Sequence, residues 1–569
     1  MPISHIIAAA RGMAPVDLLL ANARMINVFS GEILPVNIAV SGGLIVGFGD
    51  YQAKKTIDLK GKIVAPGFID PHLHIESAMV SVTEFARAVL PLGTTTVVAD
   101  PHEIANVSGA AGIRHMLDSA EGQPVNIFYT LPSCVPATDM ETAGASLSAD
   151  DLAPFMGHPR ILALAEMMNF PGVLYQVPSV LAKIELAKRH RLPVDGHAPG
   201  LSGRDLCAYI AAGVSSDHEC TSAAEALEKL RGGMHIMIRE GTGARNLRDL
   251  LPLVTVENCH RMMWCTDDRH PHDIMEKGHM DDIIRRAIGA GIDPVMAIRM
   301  ATLHPAQYFG LSQLGVIAPG RRADLVILSD LRSLTIESVY TSGILSAEAG
   351  RVLPHIPFPA PLPPLPAMNV AIEALDFSIP VEGNQIRVMG VIPDQILTRS
   401  LVMDVHVIAG KAEADPSRDL LKIAVVERHH GSGGLGKGFV TGMGLKRGAI
   451  ASSVAHDSHN IIIVGTNDQD MKTALARITE MGGGLVAACD GKILSDLPLP
   501  VAGLMSLEPL PIVRNRLDAL ISAAHDLGSS LSDPFMTLSF LALPVIPELK
   551  ITDLGLVDVA AFKRVSLFI

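Results

Sequence analysis

Residues 63–74 read IVAPGFIDPHLH, an apolar run that ends in two closely spaced histidines. Seven further apolar runs follow it, and helix-like segments separate them. The seven runs are TTTVVADPHE (94–103), NIFYTLPSC (126–134), ILALAEMMN (161–169), LPVDGHAP (192–199), VSSDHEC (214–220), MHIMIREGT (234–242) and MMWCTDD (262–268). Buried strands that alternate with helices form parallel sheets. The sequence therefore predicts an α/β fold in which eight strands and their helices form a (β/α)8 barrel.

Nearly every one of these runs ends in His, Asp, Glu or Cys. In a (β/α)8 barrel the loops at the carboxyl ends of the strands build the active site, so side chains that follow the strands meet at one face. The alternative is a set of unrelated buried strands with chance polar ends, and the ordered succession of eight runs argues against it. The pattern predicts a functional site at the barrel mouth.

Two β-rich stretches flank the eight runs. Residues 16–64 alternate short apolar runs with Gly and Asp turns, as small antiparallel sheets do. Residues 315–352 show the same alternation of short apolar runs and turns. Because the first stretch is too short for a stable sheet of its own, we expect the second to complete that sheet from across the barrel.

A proline-rich linker and a further domain complete the chain. Residues 354–368 form the predicted linker, and seven prolines lie between positions 354 and 366, which favours an extended segment. Residues 369–569 contain the strand-like segments KIAVVERHH and NIIIVGTND and a helix-like segment at 468–481. This region is predicted to be an α+β domain.

The composition limits the classes of partner. The chain of 569 residues is too long for one core, and although 48% of it is hydrophobic, no apolar run reaches the roughly 18 residues of a membrane-spanning helix. A formal charge of −13 argues against nucleic acid as a partner. The six cysteines form no CxxC pair, and no basic stretch precedes the first apolar residues. These features favour a cytoplasmic protein without disulfides and without a membrane partner.

Residues of the types that bind metal ions end several of the predicted strands. His72 and His74 are two residues apart, so their side chains point to the same face of a strand. A His-x-His pair alone is a weak signal, but four more ligand-type residues end later runs: Glu166, His197, His218 and Asp267. Four imidazoles and two carboxylates suit two adjacent divalent ions that share a carboxylate. The sequence predicts a two-metal site.

The predicted ligands divide into two sets. One ion is expected to be held by His72, His74 and Asp267, and the other by His197 and His218, with Glu166 spanning both. Asp268 follows Asp267 directly, and the side chains of adjacent strand residues face opposite ways, so only one aspartate is expected to bind metal. The position in the TDD segment favours Asp267, although the sequence alone leaves the choice open.

The segments GFIDPHLH, GHAPG, SSDHE and TDD together resemble the amidohydrolase superfamily, as does ATLHPAQYFGL followed by GVIAPGRRADLVIL. The resemblance implies a catalytic barrel over residues 66–307 and a small β-sandwich formed by residues 1–65 with 308–353. In many members a carboxylated lysine bridges the metal ions. The fourth run here has no lysine and offers Glu166 instead. This restricts the resemblance to members of the superfamily that lack the bridging lysine.

Longer segments resemble the adenine deaminases within that superfamily. The segments are HLHIESAMV, ADPHEIANV, AEMMNFPGV, GHAPGL, SSDHECTS and WCTDDRHP, and KGFVTGMGLKRGAIASSVAHDSHNIIIVGTND resembles the additional C-terminal domain of that family. The resemblance covers essentially the whole chain. It implies hydrolysis of adenine by water to hypoxanthine and ammonia in purine metabolism, two Mn²⁺ or Fe²⁺ ions with Zn²⁺ as the alternative, and a homo-oligomer.

The chemistry that the resemblance implies suggests roles for the polar residues. A metal ion lowers the pKa of bound water, and Asp267 is the candidate that takes the proton of this water and passes it to the departing amine. Glu166 is expected to act electrostatically, because its charge is committed to the metals. His102 and Glu103 follow the second run and are candidates to orient the nucleophile or protonate the ring. His102 is the first choice, since Glu103 could equally cap the next helix.

Three further residues are candidates for substrate binding. Glu76 and Ser77 directly follow the paired histidines and could read the purine edge, while Glu219 could contact the ring or orient a metal ligand. A second polar cluster, residues 456–460, could border the barrel mouth, bind another ion or serve only the packing of its own domain. Two alternative functions remain: an amidohydrolase that acts on a related 6-aminopurine or a cyclic amide, and a non-catalytic barrel protein, which should have lost metal ligands.

Overall fold

The structure is a computed structural model, and it describes residues 2–393 and 395–569; Met1 and Asp394, each inside a predicted domain, lie outside the described residues. The chain begins with helix α1 (Ile3–Ala10) and five strands: β1 (Val16–Asn27), β2 (Glu32–Ser41), β3 (Leu44–Phe48), β4 (Ala53–Asp58) and β5 (Ile63–Pro66). Gly42 and Gly43 connect β2 to β3 with φ angles of 58° and 79°. Two such angles in succession are typical of a tight hairpin turn, and glycine adopts them without steric cost.

Eight parallel strands follow, one at each of the eight predicted runs. They are β6 (Phe68–Leu73), β7 (Thr94–Ala99), β8 (Asn126–Leu131), β9 (Ile161–Met167), β10 (Val194–Gly196), β11 (Ser216–Asp217), β12 (His235–Arg239) and β13 (Met262–Cys265). The helices between and after them are α2 (Val82–Val89), α3 (His102–Ser119), α4 (Ala149–Leu152), α5 (Phe170–Leu174), α6 (Pro178–Arg189), α7 (Gly203–Ala212), α8 (Ala223–Arg231), α9 (Leu247–Leu250), α10 (Pro271–Glu276), α11 (Met280–Gly289), α12 (Pro294–Met300) and α13 (Leu303–Tyr308).

These strands form a ring. Strands β6 to β10 pair in sequence order in one sheet and β11 to β13 in another. Parallel bridges between Val194 and Val214 and between Leu73 and Asp267 join the edges of the two sheets. At the second junction the amide of Asp267 donates to the carbonyl of His72 at 3.1 Å, and Thr266 donates through its hydroxyl to the Asp70 carboxylate at 2.6 Å. The carboxyl ends of all eight strands consequently surround one mouth.

The two flanks of the barrel meet in one sheet. Strands β14 (Leu325–Asp330), β15 (Thr335–Thr341), β16 (Ile344–Glu348) and β17 (Arg351–Val352) follow the barrel. Strand β14 pairs antiparallel with β5, and the sheet runs in the order β17-β16-β15-β14-β5-β1-β2-β3, with β4 beside β1. The barrel is therefore inserted in the chain between β5 and β14, two strands that pair with each other. The chain enters and leaves the barrel at neighbouring positions of this sheet.

The C-terminal region is a mixed α+β domain. Its strands are β18 (Gln385–Val391), β19 (Thr398–Asp404), β20 (Val407–Ile408), β21 (Lys411–Ala412), β22 (Leu421–Val426), β23 (Leu435–Thr441), β24 (Ala449–Ser452), β25 (Ile461–Gly465), β26 (Gly484–Cys489), β27 (Lys492–Pro498), β28 (Leu549–Thr552), β29 (Gly555–Asp558) and β30 (Lys563–Val565). Its helices are α14 (Asp468–Glu480), α15 (Leu510–Asp526) and α16 (Pro534–Phe540). The main sheet has the order β19-β18-β23-β22-β25-β24-β26-β27.

The C-terminal domain packs against the barrel mouth. One cluster of buried apolar side chains extends from the barrel helices into the C-terminal sheet and includes Phe85, Leu504 and Phe535. The amide of Ser506 donates to the carbonyl of Met79 at 2.9 Å, and the amide of Ser81 donates to the carbonyl of Ser506 at 2.9 Å. These bonds fix the C-terminal domain to the segment that directly follows His74.

The linker and the thiols add two simpler features. Residues 354–368 contain no helix or strand among the described residues, and the Arg87 guanidinium lies over the ring of Phe358 at 4.3 Å. All six cysteines are free; Cys207 is exposed and the other five are buried. Within residues 2–393 and 395–569, no helix combines the length and apolar character that crossing a bilayer requires.

Candidate active site

Six side chains converge at the mouth of the barrel. His72 lies in β6 and Glu166 in β9. Three more directly follow strands, His74, His197 and His218, and Asp267 lies two residues after the end of β13. Five of the six side chains are at most 5% exposed, and His197 is 27% exposed. Because the strand ends surround one opening, side chains as distant in the sequence as His72 and Asp267 form one buried cluster.

One part of the cluster contains the paired histidines. The Nε2 atoms of His72 and His74 lie 3.3 Å and 3.2 Å from the same oxygen, Oδ1 of Asp267. Asp267 has a φ of 56°, the left-handed conformation, which bends the chain just after β13. Asp268 instead accepts a hydrogen bond from the Ser77 hydroxyl. Asp267 is therefore the aspartate that faces both imidazoles.

Glu166 lies between this part and the other two histidines. Its Oε1 atom is 3.4 Å from Nε2 of His74, whereas its Oε2 atom is 3.3 Å from Nε2 of His218 and 2.5 Å from Nδ1 of His197. One carboxylate oxygen thus faces each half of the cluster. This is the geometry that a carboxylate shared by two adjacent cations needs.

The charges of the cluster fit cation binding. Burial disfavours ionised Glu166, but His197 and His218 hold its pKa well below the usual range. Burial likewise disfavours ionised Asp267, and Arg239 together with the paired histidines holds its pKa well below the usual range. Nε2 of His72 is buried without a hydrogen bond of acceptable geometry among the described residues. Ionised carboxylates and buried imidazole nitrogens are donors that divalent ions take.

Two residues at the site were missed by the sequence analysis, and the first is Asp100. Its carboxylate lies 3.0 Å from Nδ1 of His102, and that nitrogen lies 3.5 Å from Oε1 of Glu166. Burial lowers the pKa of His102, but Asp100 and Glu103 more than reverse this and raise it well above the usual value. His102 is therefore held between carboxylates beside the cluster of candidate metal ligands.

The second missed residue is Arg239, the last residue of β12. Its guanidinium donates to Oδ2 of Asp267 at 2.8 Å and to Oε2 of Glu219 at 2.9 Å. Glu219 in turn lies 3.5 Å from Nε2 of His218. Both missed residues end apolar runs, so their position was the available signal. An arginine is not a metal ligand, so Arg239 does not belong to the pattern of ligand-type residues at strand ends.

A cavity lies between the barrel and the C-terminal domain. Glu76, Ser77, Glu103 and Asp268 line it from the barrel side, whereas Glu219 is outside its described lining and pairs with Arg239. Met79 and His270 complete the barrel side. The C-terminal domain contributes the other lining residues: Ser452, Val454, His456, His459, Leu485, Leu504, Leu517, Asp533, Phe535, Met536, Ser539 and Phe540. The C-terminal domain thus forms a large part of this cavity.

Glu76 and Glu103 have different surroundings in this cavity. One oxygen of Glu76 accepts from the amide of Ile104 at 3.3 Å, and the other is buried without a partner among the described residues. Glu103 contacts His459 and lies 2.8 Å from Nδ1 of His456. Burial opposes its ionisation, yet these two histidines hold its pKa well below the usual range. Glu103 is thus engaged by the C-terminal domain.

Comparison with known proteins places this site in a family. Residues 63–345 match the amidohydrolase family, and residues 395–563 match the adenine deaminase C-terminal domain. The adenine deaminase of Desulfatibacillum aliphaticivorans is 58% identical over 564 residues, which cover 99% of each chain. The chain belongs to the adenine deaminase family. Adenine deaminase 2 of Carboxydothermus hydrogenoformans is 48% identical over 570 residues, again 99% of each chain.

The family membership extends over both parts of the site. An adenine deaminase of Methanothrix thermoacetophila is 49% identical over 570 residues and covers 100% of both chains. The two matched regions correspond to the barrel with its flanking sheet and to the C-terminal domain. The cavity lies where these regions meet. In this adenine deaminase family member, both regions therefore contribute residues to one site.

Proposed function

We propose that the protein hydrolyses adenine to hypoxanthine and ammonia in purine metabolism. The observation that carries this proposal is the match to adenine deaminases along essentially the whole chain, together with six ligand-type side chains that meet at the barrel mouth. The alternative substrates are a related 6-aminopurine and a cyclic amide. The complete set of ligand-type residues argues against a non-catalytic barrel.

The proposed cofactor is a pair of divalent metal ions. One would be held by His72, His74 and Asp267 and the other by His197 and His218, with Glu166 shared between them. Such ions, when bound, make water acidic enough to supply a nucleophile at neutral pH. Histidine and carboxylate ligands accept Mn²⁺, Fe²⁺ and Zn²⁺ alike. The preference for Mn²⁺ or Fe²⁺ therefore comes from the resemblance to adenine deaminases.

The proton transfers are assigned to Asp267 and His102. Asp267 faces the paired histidines with one oxygen and Arg239 with the other, so its orientation is fixed and its ionised form is favoured. An ionised carboxylate at this position can take a proton from the attacking water and give it to the leaving amine. His102, held by Asp100 beside Glu166, orients the attacking water or protonates the purine ring.

The substrate is proposed to bind in the cavity between the barrel and the C-terminal domain. Glu76 and Ser77, which follow the paired histidines and line the cavity, are proposed to read a purine edge. Glu103 lines the same cavity, but its contacts indicate that it acts through His456 and His459. Glu219 is proposed to act through Arg239 and His218 rather than on the ring.

A substrate panel tests the proposed function. The purified chain is loaded with Mn²⁺, and ammonia release is followed from adenine, adenosine, cytosine and dihydroorotate. We expect adenine to be the preferred substrate by kcat/KM. A preference for any of the other three would overturn the assignment of the substrate.

The remaining expectations are proposals about organisation. The domains are proposed to be residues 1–65 with 308–353, which bend into a small β-sandwich, the barrel at 66–307, and the C-terminal domain at 369–569. The resemblance to adenine deaminases supports a homo-oligomer, and the cysteine pattern supports the cytoplasm. Light scattering of the purified protein tests the first, and cell fractionation tests the second.

A further inference from the structure

A second cavity opens at the end of the barrel opposite the candidate metal ligands. Residues that line it precede or begin four successive strands: Pro193 precedes β10, Ser215 precedes β11, His235 begins β12 and Arg261 precedes β13. Parallel strands of a barrel all begin at one end and finish at the other, where the candidate metal ligands lie. This basal cavity has a volume of about 670 Å³, which is within the range of roughly 300–1,000 Å³ for small-molecule sites.

The basal cavity has the opposite charge to the chain as a whole. Lys188, Arg191 and Arg261 line it, and no carboxylate belongs to its described lining, although the chain has a formal charge of −13. Within residues 2–393 and 395–569, the side chains of Lys188 and Arg191 make no hydrogen bond and no ion pair. These two cations are therefore free to bind a ligand.

Lys188 and Arg191 lie at the carboxyl end of α6, where basic side chains commonly bond the last carbonyls of a helix. That role does not account for them, because neither makes such a bond to any described residue. The Lys188 side chain instead lies over Gly213, where an added Cβ atom would be 2.4 Å from the Cε atom of the lysine. Gly213 also lines the basal cavity, so Lys188 is held at its wall.

Arg261 is anchored in the same wall by a single bond. Its Nη1 donates to the carbonyl of Gly233 at 2.7 Å, and no carboxylate pairs with it in the described part of the chain. A guanidinium has five N–H donors in one plane, so most of them remain for a ligand. The bond to the backbone thus restrains the guanidinium without exhausting its donors.

Positive charge also acts on His235 in this wall. Burial and the charge of Arg261 lower the pKa of His235 to about 4. Its Nδ1 atom is buried without a hydrogen bond of acceptable geometry among the described residues, and its ring contacts that of Tyr308 with 4.8 Å between the centroids. An anion in the basal cavity would relieve the repulsion between these groups, because it would place a negative charge among them.

We propose that the basal cavity binds a phosphorylated small molecule, for which Lys188, Arg191 and Arg261 supply the positive charge. This site goes beyond the proposed deaminase function and is separate from the cavity at the barrel mouth. Guanidinium groups match the geometry of phosphate oxygens and bind them through parallel N–H bonds, and an ammonium adds a point charge. The phosphate group could belong to inorganic phosphate or to a phosphate ester. The volume favours the ester, because a phosphate ion alone fills only a small part of the cavity.

Binding of two phosphate probes to the metal-loaded enzyme tests this proposal. Ribose 5-phosphate and inorganic phosphate are titrated by isothermal titration calorimetry, with ribose as the uncharged counterpart. We expect ribose 5-phosphate to bind more tightly than phosphate, and ribose to give no signal. The double variant Arg191→Gln/Arg261→Gln should raise the Kd for ribose 5-phosphate by about 10- to 100-fold. Equal affinities for the two probes in wild type would overturn the ester and leave inorganic phosphate as the ligand.

The control variant is Arg189→Gln. Arg189 is the last residue of α6, two positions before Arg191, and it is exposed but does not line the basal cavity. The substitution removes the same charge close by, so it should change the Kd by less than about 2-fold at physiological ionic strength, where distant charges are screened. Circular dichroism and the melting temperature without ligand show whether each variant folds.

A second measurement follows the melting temperature with and without ribose 5-phosphate. A ligand that binds only the folded state raises the melting temperature of wild type, and the double variant should lose this rise. Arg191→Gln alone alters an exposed side chain without contacts, so it decides the matter if the double variant does not fold. A Kd that stays the same in these variants would show that the phosphate binds elsewhere, for example at the metal ions, and would overturn the proposal. So would the absence of binding by either probe at millimolar concentration.

Discussion

The two carboxylate oxygens of Asp267 face different partners: imidazoles on one side and a guanidinium on the other. One lies 3.3 Å and 3.2 Å from the nitrogens of His72 and His74, and the other accepts from Arg239 at 2.8 Å. Asp267→Asn keeps the shape but removes the proton acceptor. We expect kcat for adenine to fall by about 10²- to 10⁴-fold even where some metal is retained. Steady-state kinetics with metal analysis of the same sample checks this, and an unchanged kcat would remove Asp267 as the proton carrier.

The histidines and Glu166 should behave as ligands. His74→Ala and Glu166→Gln are each expected to lose bound metal and deaminase activity together, because each removes a donor from a buried set. Metal content by mass spectrometry and activity are measured on the same preparation. The matched control is His304→Ala: this histidine is also buried in the barrel, but its ring contacts the carbonyl of Met262 instead. A ligand variant that kept two metal ions per chain would contradict the assignment.

Single residues were predictable where their position alone defines their role. His72, His74 and Glu166 could be selected because strand ends of a parallel barrel face one mouth, and the structure brings them together. Asp100 and Arg239 also end apolar runs, but their importance comes from which neighbour each holds. Asp100 holds His102, two residues further on, whereas Arg239 holds Asp267, which follows the next strand, so no local pattern reports the second contact.

At the level of the element, β12 contributes through its last residue. Arg239 holds Asp267 and Glu219, so Arg239→Met leaves two buried carboxylates without their cation. We expect metal affinity or kcat to fall by about 10- to 100-fold, which metal titration and kinetics would measure. Arg269→Met is the control, since Arg269 is buried too but pairs with Asp282. Arg269→Met should lower thermal stability but leave the metal affinity of the folded protein unchanged.

The elements themselves were predictable to different degrees. The eight apolar runs each produced a barrel strand, although β10 and β11 have only three and two residues. In the second of these, the Asp217 side chain accepts from the amides of Ala198 and Glu219, so side-chain bonds replace part of the ladder. In the C-terminal domain, β22, β25 and α14 lie at the predicted segments. The parallel pairing of β18 with β23 joins distant residues and left no signal in the sequence.

At the scale of the whole molecule, Glu141 lies at the contact between barrel and C-terminal domain. Burial and the nearby charge of Asp457 raise its pKa to about 8 from an ordinary value of 4.5. Between these two values the unfolded chain binds fewer protons than the folded one, so this carboxyl makes stability fall as pH rises from about 4.5 to about 8. Its contribution is fully present below about pH 4.5.

Glu141→Gln removes this dependence. We expect its melting temperature to be close to that of wild type at about pH 5 and higher than that of wild type at about pH 8. Differential scanning calorimetry at several pH values measures the difference. Glu373→Gln is a control, since Glu373 lies in a short turn of the C-terminal region and shows no such burial. A difference in melting temperature that is the same at every pH would contradict the role of Glu141.

The ring of strands closes between β6 and β13, where the Leu73–Asp267 bridge joins two sheet edges. His72 and His74 lie on one side of that junction and Asp267 on the other, so an ion bound by all three would cross-link the first barrel strand to the last. Chelation should therefore accelerate amide hydrogen exchange at residues 68–74 and 262–268 more than at 126–131. The bound ion would then stabilise the closed ring of strands in addition to its role in catalysis.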